Sequence, residues 1–347
     1  MRLIFGGHVT EARWGVVATV REPSALVLAF VAWHLSLGAE EVRIFLDDPG
    51  DPVFDELRRI DRCHVIRCDA EYWEGRRKRQ RPPLQSVRQL ANATWAYNRT
   101  KVDWLLHIDA DEFLWLGRPL TEELAALGPD HGWLKLRNWE RCWGETDEAG
   151  SIFSGRFRKP CRSVPEARMR EIYGPMLPYL QAGFAGYPVG KGLSRTGRGY
   201  RLNVHSPKAP VEGGSSIVPP FRTASHAAIL HFDGLTPMHW AAKTLRYAEA
   251  PDETITLLLH KERQRQVRRV RDGCRTLGEI LAFHASLFEL TSEQEKALAG
   301  EGRIAAPLID PAAALDRIGL RDRVDISAAA FDAALGPENE ERFARLG

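Results

Sequence analysis

The stretch WLLHIDADEFL, residues 104–114, decides the fold. Its first five residues are apolar apart from His107, and such a short run predicts a buried strand of a parallel sheet. Acidic residues follow directly, at the point where this strand ends. Because ligands of open α/β sheets bind at the carboxyl ends of the strands, we predict a functional site here.

Asp109 and Asp111 are separated by a single residue, so their side chains can bind one divalent cation together. Carboxylate oxygens suit Mg²⁺ and Mn²⁺, which keep open positions for phosphate oxygens. An Asp-x-Asp pair also occurs by chance in exposed turns. The apolar strand before the pair, with Phe113 and Leu114 after it, favours the metal site over a turn.

Three strand-helix steps precede this strand. β-Branched and apolar runs predict the strands, and Pro, Gly and amphipathic spacing predict the helices. The expected strands are 16–20, 42–46 and 64–68, and the expected helices are 25–37, 53–61 and 84–97. This order predicts a doubly wound α/β fold with right-handed crossovers and a mostly parallel sheet flanked by helices.

Composition excludes several classes of protein. The 347 residues are 44% hydrophobic and 27% charged, with a net charge of +2, which is typical of a soluble globular protein and gives no support to nucleic-acid binding. The five cysteines form no C-x-x-C pair, so neither a disulfide framework nor a zinc site is indicated, and a cytoplasmic location is expected. Residues 1–9 make a poor signal peptide, and the uncharged run 23–39 is short for a membrane span.

The later part of the chain carries a second group of polar residues. A predicted strand at 133–137 leads to Glu140 and Glu145, which stand among Trp139 and Trp143. Such tryptophans are found both in sites that bind the face of a sugar and packed in the hydrophobic core, and both interpretations stay open. Two arginine-rich segments, 74–83 and 261–275, are either solvated surfaces or contacts for anions, the second including anionic lipid.

With these segments in place, the sequence resembles nucleotide-sugar glycosyltransferases of the GT-A fold, most closely a bacterial family-2-like group. The resemblance covers residues 14–246, and its most specific part is the Asp-Ala-Asp-Glu-Phe block at 109–113. Residues 32–38 match the helix that ends in an aromatic-His pair and Leu-Gly, and residues 45–48 match the strand that ends in Asp. Arg21-Glu22-Pro23 stands where the group has Lys-Asn-Glu.

The resemblance implies roles for particular residues. Thr19, Arg21, Glu22 and Asp47 would lie along the nucleoside of the donor, for which a UDP-sugar is expected. Asp109 and Asp111 would hold the ribose and a diphosphate bound to Mn²⁺ or Mg²⁺, and His231 would complete the metal shell. Lys191 would neutralise the diphosphate, and Glu140 or Glu145 would act as the base that activates the acceptor.

These implications make the expected function a metal-dependent transfer of a sugar to a glycan, lipid-linked or other hydroxyl acceptor, with a place in surface polysaccharide synthesis. The expected organisation is a glycosyltransferase domain at 1–245, with a nucleotide-binding half at 14–116 and an acceptor half at 117–245. A helical region at 246–347 follows, with peripheral membrane contact through its basic helices as a minority interpretation. The alternatives are a non-catalytic sugar- or nucleotide-binding protein on the same scaffold and, less favoured, an Asp-x-Asp phosphohydrolase.

Overall fold

A mixed sheet of eleven strands forms the centre of the molecule. The structure, a computed structural model, describes residues 12–76, 80–147 and 150–346. The sheet strands are β1 (Trp14–Val20), β2 (Glu41–Leu46), β3 (Cys63–Arg67), β4 (Trp104–His107), β5 (Glu112–Leu116), β6 (Trp133–Gly144), β7 (Arg156–Arg158), β8 (Lys191–Arg195), β11 (Phe221–His231), β12 (Glu289–Leu290) and β13 (Ile304–Ala305). The short strands β9 (Ala209–Pro210) and β10 (Ser216–Ile217) form a separate pair.

Helices cover the sheet and form most of the C-terminal part. They are α1 (Ser24–Ser36), α2 (Phe54–Leu57), α3 (Ala70–Glu74), α4 (Gln85–Tyr97), α5 (Leu120–Ala125), α6 (Glu166–Tyr173), α7 (Pro237–Ala248), α8 (Asp252–Leu258), α9 (Lys261–Gly273), α10 (Leu277–Phe288), α11 (Ser292–Gly300), α12 (Pro311–Arg317), α13 (Ala328–Ala333) and α14 (Pro337–Ala344). Short 3-10 helices lie at Gly174–Tyr179, Glu212–Gly214 and Arg321–Arg323.

The strand order is β13-β7-β6-β8-β4-β1-β2-β3, with β11 between β6 and β5. β1 to β4 are mutually parallel, whereas β5, β7 and β8 run against the other strands. The predicted α/β class with a mostly parallel sheet is therefore confirmed. β1 pairs with β4 so that Val17 faces His107, and the residues that follow both strands meet at one edge.

Helix α1 is hydrogen-bonded to β5, the strand that follows Asp109 and Asp111. Its side chains from Leu26 to Leu35 are all buried. The indole of Trp33 donates to the carbonyl oxygen of Leu114 at 2.7 Å, and the Nε2 atom of His34 accepts from the Leu114 N–H at 3.2 Å. Burial lowers the pKa of His34 to about 4, so the ring stays neutral and this acceptor role is preserved.

The C-terminal segment belongs to the same core as the sheet. The predicted boundary after residue 245 falls inside α7, β12 and β13 extend the sheet beside β6 and β7, and α12 packs on α1. Leu315 and Phe331 are fully buried in one cluster with residues of β1 and α1. Residues on both sides of position 245 therefore share one hydrophobic cluster.

Two expectations from the sequence fall on residues for which no structure is given. Residues 1–9, which make a poor signal peptide, lie outside the described residues. Residues 77–79 of the first arginine-rich segment also lie outside them. Among the residues that are described, no helix is long and apolar enough to cross a membrane.

Replacing Leu315 with Ala tests whether the C-terminal segment carries part of the core. Leu315 is fully buried, so the cavity is expected to lower the free energy of unfolding by about 2–5 kcal/mol. Leu308 in the same segment is 84% exposed, and Leu308→Ala is expected to change the free energy of unfolding by no more than about 0.5 kcal/mol. Urea unfolding of the full chain measures both. Equal, small effects would show that the segment does not share the core.

Candidate functional site

A cleft of about 480 Å³ lies at the carboxyl ends of β1 and β4. The two loops that follow these strands meet there because the strands are adjacent and parallel. The acidic side chains on its wall are Glu22, Asp109, Asp111 and Asp233, and the basic ones are Arg21, Lys243, Arg246 and Arg263. The cleft thus combines carboxylates with cations at the edge where a ligand site was predicted.

Each aspartate of the Asp-x-Asp pair contacts a lysine. The Nζ atom of Lys191 is 2.6 Å from Asp109 Oδ2 and 2.9 Å from Glu112 Oε2. The Nζ atom of Lys243 is 2.7 Å from Asp111 Oδ2. The second oxygen of Asp109 accepts a hydrogen bond of 2.8 Å from Gln89 on α4. Both carboxylates are therefore held in place by protein donors.

These contacts shift the pKa values of the groups involved. Burial alone would lower the pKa of Lys191, but Asp109 and Glu112 outweigh it and raise the pKa above its ordinary value. Burial likewise opposes the charge of Asp109, and the nearby Lys191 and His107 bring the pKa of Asp109 below its usual range. Lysine and carboxylate are both charged at neutral pH as a result.

The described residues do not assemble the predicted metal site. In the three described ranges, no group of three His, Cys, Asp or Glu side chains is arranged to hold a metal ion. His231 does line the cleft, and its Nδ1 atom is buried without a hydrogen-bond partner among the same residues. The two aspartates, however, face ammonium groups, which does not fit a shared divalent ion. Dependence on Mn²⁺ or Mg²⁺ stays a prediction of the resemblance.

Two helices supply cations that the sequence analysis did not assign to the site. α7 provides Lys243 and, one turn later, Arg246, while α9 provides the buried Arg263. Arg263 Nη1 lies 3.0 Å from Asp233 Oδ2, and Lys243 lies 3.7 Å from Asp233 Oδ1. No local pattern in the sequence marked Lys243 or Arg263 as partners of Asp233.

Glu22, on the wall of the cleft, forms a separate pair with His239. The Nε2 atom of His239 lies 3.1 Å from Glu22 Oε2, and its Nδ1 atom accepts from the Leu235 N–H at 3.2 Å. Nδ1 therefore faces the backbone, and Nε2 is the ring nitrogen that faces Glu22. Burial would raise the pKa of Glu22, but His239, Lys243 and Arg246 together lower it, so Glu22 is a carboxylate.

The residues predicted to lie along the nucleoside are divided between the cleft and a neighbouring cavity. Arg21 lines both, while Thr19 lines the cleft and accepts a hydrogen bond from Asn92 at 3.0 Å. Asp47 lines the second cavity, but its carboxylate makes a two-pronged ion pair with Arg88, both contacts at 2.6 Å. The structure therefore gives Asp47 a structural partner that the sequence analysis did not foresee.

Glu140 has a structural role instead of the predicted role as base. It is fully buried and ion-paired with Arg158, whose Nη2 atom lies 2.6 Å from Glu140 Oε2. Its oxygens also accept from the N–H groups of Ala185 at 2.9 Å and Gly186 at 2.6 Å. A methyl group on Gly186 would come within 3.0 Å of His231, so Glu140 holds this loop closely against the cleft.

Glu145 and the two tryptophans beside it lie away from the cleft. The exposed Glu145 accepts from the Ser292 hydroxyl at 2.6 Å. Trp139 packs on Trp115 with ring centroids 5.1 Å apart, and Trp143 packs on His284 at 5.7 Å. The core interpretation of the tryptophans is the one that the structure supports, and Glu145 is not placed to act as a base in the cleft.

The fold and cleft together define an α/β protein with a charged ligand site at the carboxyl edge of its sheet. No family model matches the chain, and no curated protein matches it.

Among solved structures, residues 1–349 of TarS from S. aureus are similar at 12% identity and a TM-score of 0.29, over 79% of this chain and 72% of that one. HddC from Yersinia pseudotuberculosis is similar at 8% identity and a TM-score of 0.27, over 65% of this chain and 78% of that one. The mannosyltransferase Ktr4p from S. cerevisiae is similar at 11% identity and a TM-score of 0.23, over 52% of this chain and 49% of that one. At these TM-scores the similarities support no inference about the activity of this chain.

Replacing Glu140 with Gln separates a structural role from a catalytic one. Arg158 would keep its charge in a fully buried position without a carboxylate, so the free energy of unfolding is expected to fall by about 3–5 kcal/mol. Glu145→Gln, at the exposed end of the same strand, is expected to leave unfolding nearly unchanged. Urea unfolding measures both variants. A Glu140→Gln protein of wild-type stability would contradict the structural role.

Proposed function

We propose that the chain transfers a glycosyl group from a nucleotide sugar to a hydroxyl acceptor. The observation that carries this proposal is the cleft at the carboxyl ends of β1 and β4, which brings Asp109 and Asp111 together with Arg21, Lys243 and Arg246. Cations bind a diphosphate, and carboxylates bind sugar and ribose hydroxyls. The Asp-Ala-Asp-Glu-Phe block and its resemblance to GT-A glycosyltransferases support the same activity.

A donor of this kind needs room for a nucleoside next to the cleft. A cavity of about 560 Å³ adjoins the cleft through Arg21, and its other lining residues include Asp69, Trp73 and Arg81. In the proposed arrangement the nucleoside occupies this cavity, the diphosphate passes Arg21, and the sugar lies in the cleft. A UDP-sugar is the proposed donor, and a glycan or lipid-linked hydroxyl the proposed acceptor.

The reaction requires charge stabilisation at the leaving group. The bond between the anomeric carbon and the phosphate oxygen breaks, and its electron pair stays on the diphosphate. Lys243, Arg246 and Arg21 line the cleft as positive groups that stabilise this charge as it develops. The acceptor oxygen forms the new bond to the anomeric carbon and loses its proton to a protein base.

Glu22 is the carboxylate proposed to receive that proton. Asp109, Asp111 and Asp233 each form an ion pair with a lysine or an arginine, so their oxygens are already engaged by a cation. Glu22 contacts His239 instead, and this contact orients the carboxylate through Oε2. Glu22 therefore replaces Glu140 and Glu145 as the proposed base.

The proposed activity is tested by incubating the full chain with a panel of nucleotide sugars. UDP-sugars are expected to release UDP, slowly to water and faster when a mixture of glycan acceptors is added. The released nucleotide is measured by a coupled assay. Stabilisation by UDP without release from any donor would favour the non-catalytic binding protein, because a ligand that binds the folded state raises Tm without any turnover.

Replacing Glu22 with Gln tests the base. Loss of a general base is expected to lower kcat by about 100-fold or more, while the KM for the donor changes little. Glu249→Gln is the matched control, because Glu249 follows α7 and pairs with Arg342. Steady-state kinetics at saturating acceptor measures both. An increase in KM with kcat retained would instead assign Glu22 to donor binding, as the resemblance implies.

A further inference from the structure

Lys243 combines two properties at the Asp-x-Asp pair: it contacts Asp111, and it lines the cleft. Its Nζ atom is 2.7 Å from Asp111 Oδ2 and 3.7 Å from Asp233 Oδ1, and its side chain is 19% exposed. An ammonium group has three N–H donors. Asp111 occupies one of them, so Lys243 keeps donors for the oxygens of a ligand in the cleft.

Lys191 makes the other aspartate a poor metal ligand. Its side chain is only 3% exposed and lies 2.6 Å from Asp109 Oδ2 and 2.9 Å from Glu112 Oε2. A Mg²⁺ ion bound at about 2.1 Å from Asp109 Oδ2 would lie within about 5 Å of this ammonium group. The two positive charges would repel each other across this short distance.

Further cations surround the same part of the cleft. Arg246 follows Lys243 by three residues on α7, so the two side chains share one face of the helix. Arg21 lies at the junction between the cleft and the adjoining nucleoside-sized cavity. A diphosphate that spans the two spaces would therefore meet side-chain cations along its path.

We propose that Lys243, with Arg246 and Arg21, takes the place of a divalent ion at the donor diphosphate. In this arrangement Asp111 and Asp233 hold the ammonium group of Lys243, and Lys191 fixes Asp109 for contact with hydroxyl groups of the donor. When the bond to the anomeric carbon breaks, the electron pair on the diphosphate is stabilised by these N–H donors. Donor binding and transfer then need no divalent metal. The inference rests on the proposed function.

Isothermal titration of UDP into the metal-stripped full chain tests the inference without knowledge of the sugar or the acceptor. The Kd measured in EDTA is expected to agree with the Kd measured in excess Mn²⁺ to within about threefold, since protein cations already supply the charge. Release of UDP from the active UDP-sugar is expected to show the same independence of EDTA. These measurements need no variant and therefore do not depend on the folding of one.

Lys243→Met removes the charge while keeping most of the apolar stem. It is expected to weaken UDP binding in EDTA about tenfold or more, because a charge-assisted contact is lost and Asp111 is left unpaired. Lys243→Arg is expected to retain more affinity, since it restores the charge. Lys261→Met, at an exposed position at the start of α9, is the matched control and is expected to bind as the wild type does.

Uridine serves as the ligand control because it lacks phosphate. Its binding is expected to be the same in wild type and Lys243→Met, which would place the effect of Lys243 at the diphosphate. Binding of UDP that is lost in EDTA and restored by Mn²⁺ would overturn the inference and leave the proposed function intact. Failure of UDP to bind with or without Mn²⁺ would overturn both.

Discussion

Pairing of buried charges is the constraint on which both the fold and the cleft depend. Leaving one member of a buried ion pair unpaired costs about 3–5 kcal/mol, a large part of the stability of a domain. Lys191 pairs with Asp109 across 82 positions of sequence, and Lys243 pairs with Asp111 across 132. These contacts can form only when distant segments of the chain have come together, so assembly of the cleft and completion of the core are one process.

The same constraint explains how the loop that contains Ala185 and Gly186 is held against the cleft. Glu140 uses both oxygens, one for Arg158 and the N–H of Ala185 and the other for the N–H of Gly186. Arg158 is itself almost fully buried, so neither partner can turn to water. Glu140, on β6, thereby fixes the backbone of Gly186 beside His231. Glu140 shapes the cleft in this way although its own side chain does not line it.

Local signals in the sequence predicted the strand and the helix that lead into the site, but not β5, which follows the two aspartates. An apolar run that ends in acidic residues predicted a strand where β4 lies at Trp104–His107, and helical spacing predicted 84–97 where α4 spans Gln85–Tyr97. The alternation of strands and helices then predicted the parallel arrangement of β1 to β4, because such connections have one handedness. The meeting of Thr19, Arg21, Asp109 and Asp111 at one cleft follows from that arrangement alone.

The partners of the charged groups could not be predicted in this way. Asp47 and Arg88 are 41 positions apart, and no periodicity links them. Glu140 and Glu145 looked equivalent in sequence, yet one faces the interior of the sheet and the other solvent. Trp139 and Trp143 fitted a sugar site and a core equally well, because aromatic residues serve both. Only the three-dimensional neighbours of these side chains distinguish the alternatives.

The packing of α12 on α1 has a consequence for how the protein is made. α1 is synthesised well before the helix that covers it, which is formed by Pro311–Arg317. At a synthesis rate of about 5–20 residues per second, the nascent chain therefore carries an uncovered apolar helix for roughly 15–60 seconds. Transiently exposed apolar surface favours aggregation, so the interval before α12 is made is the one in which this helix is at risk of wrong contacts.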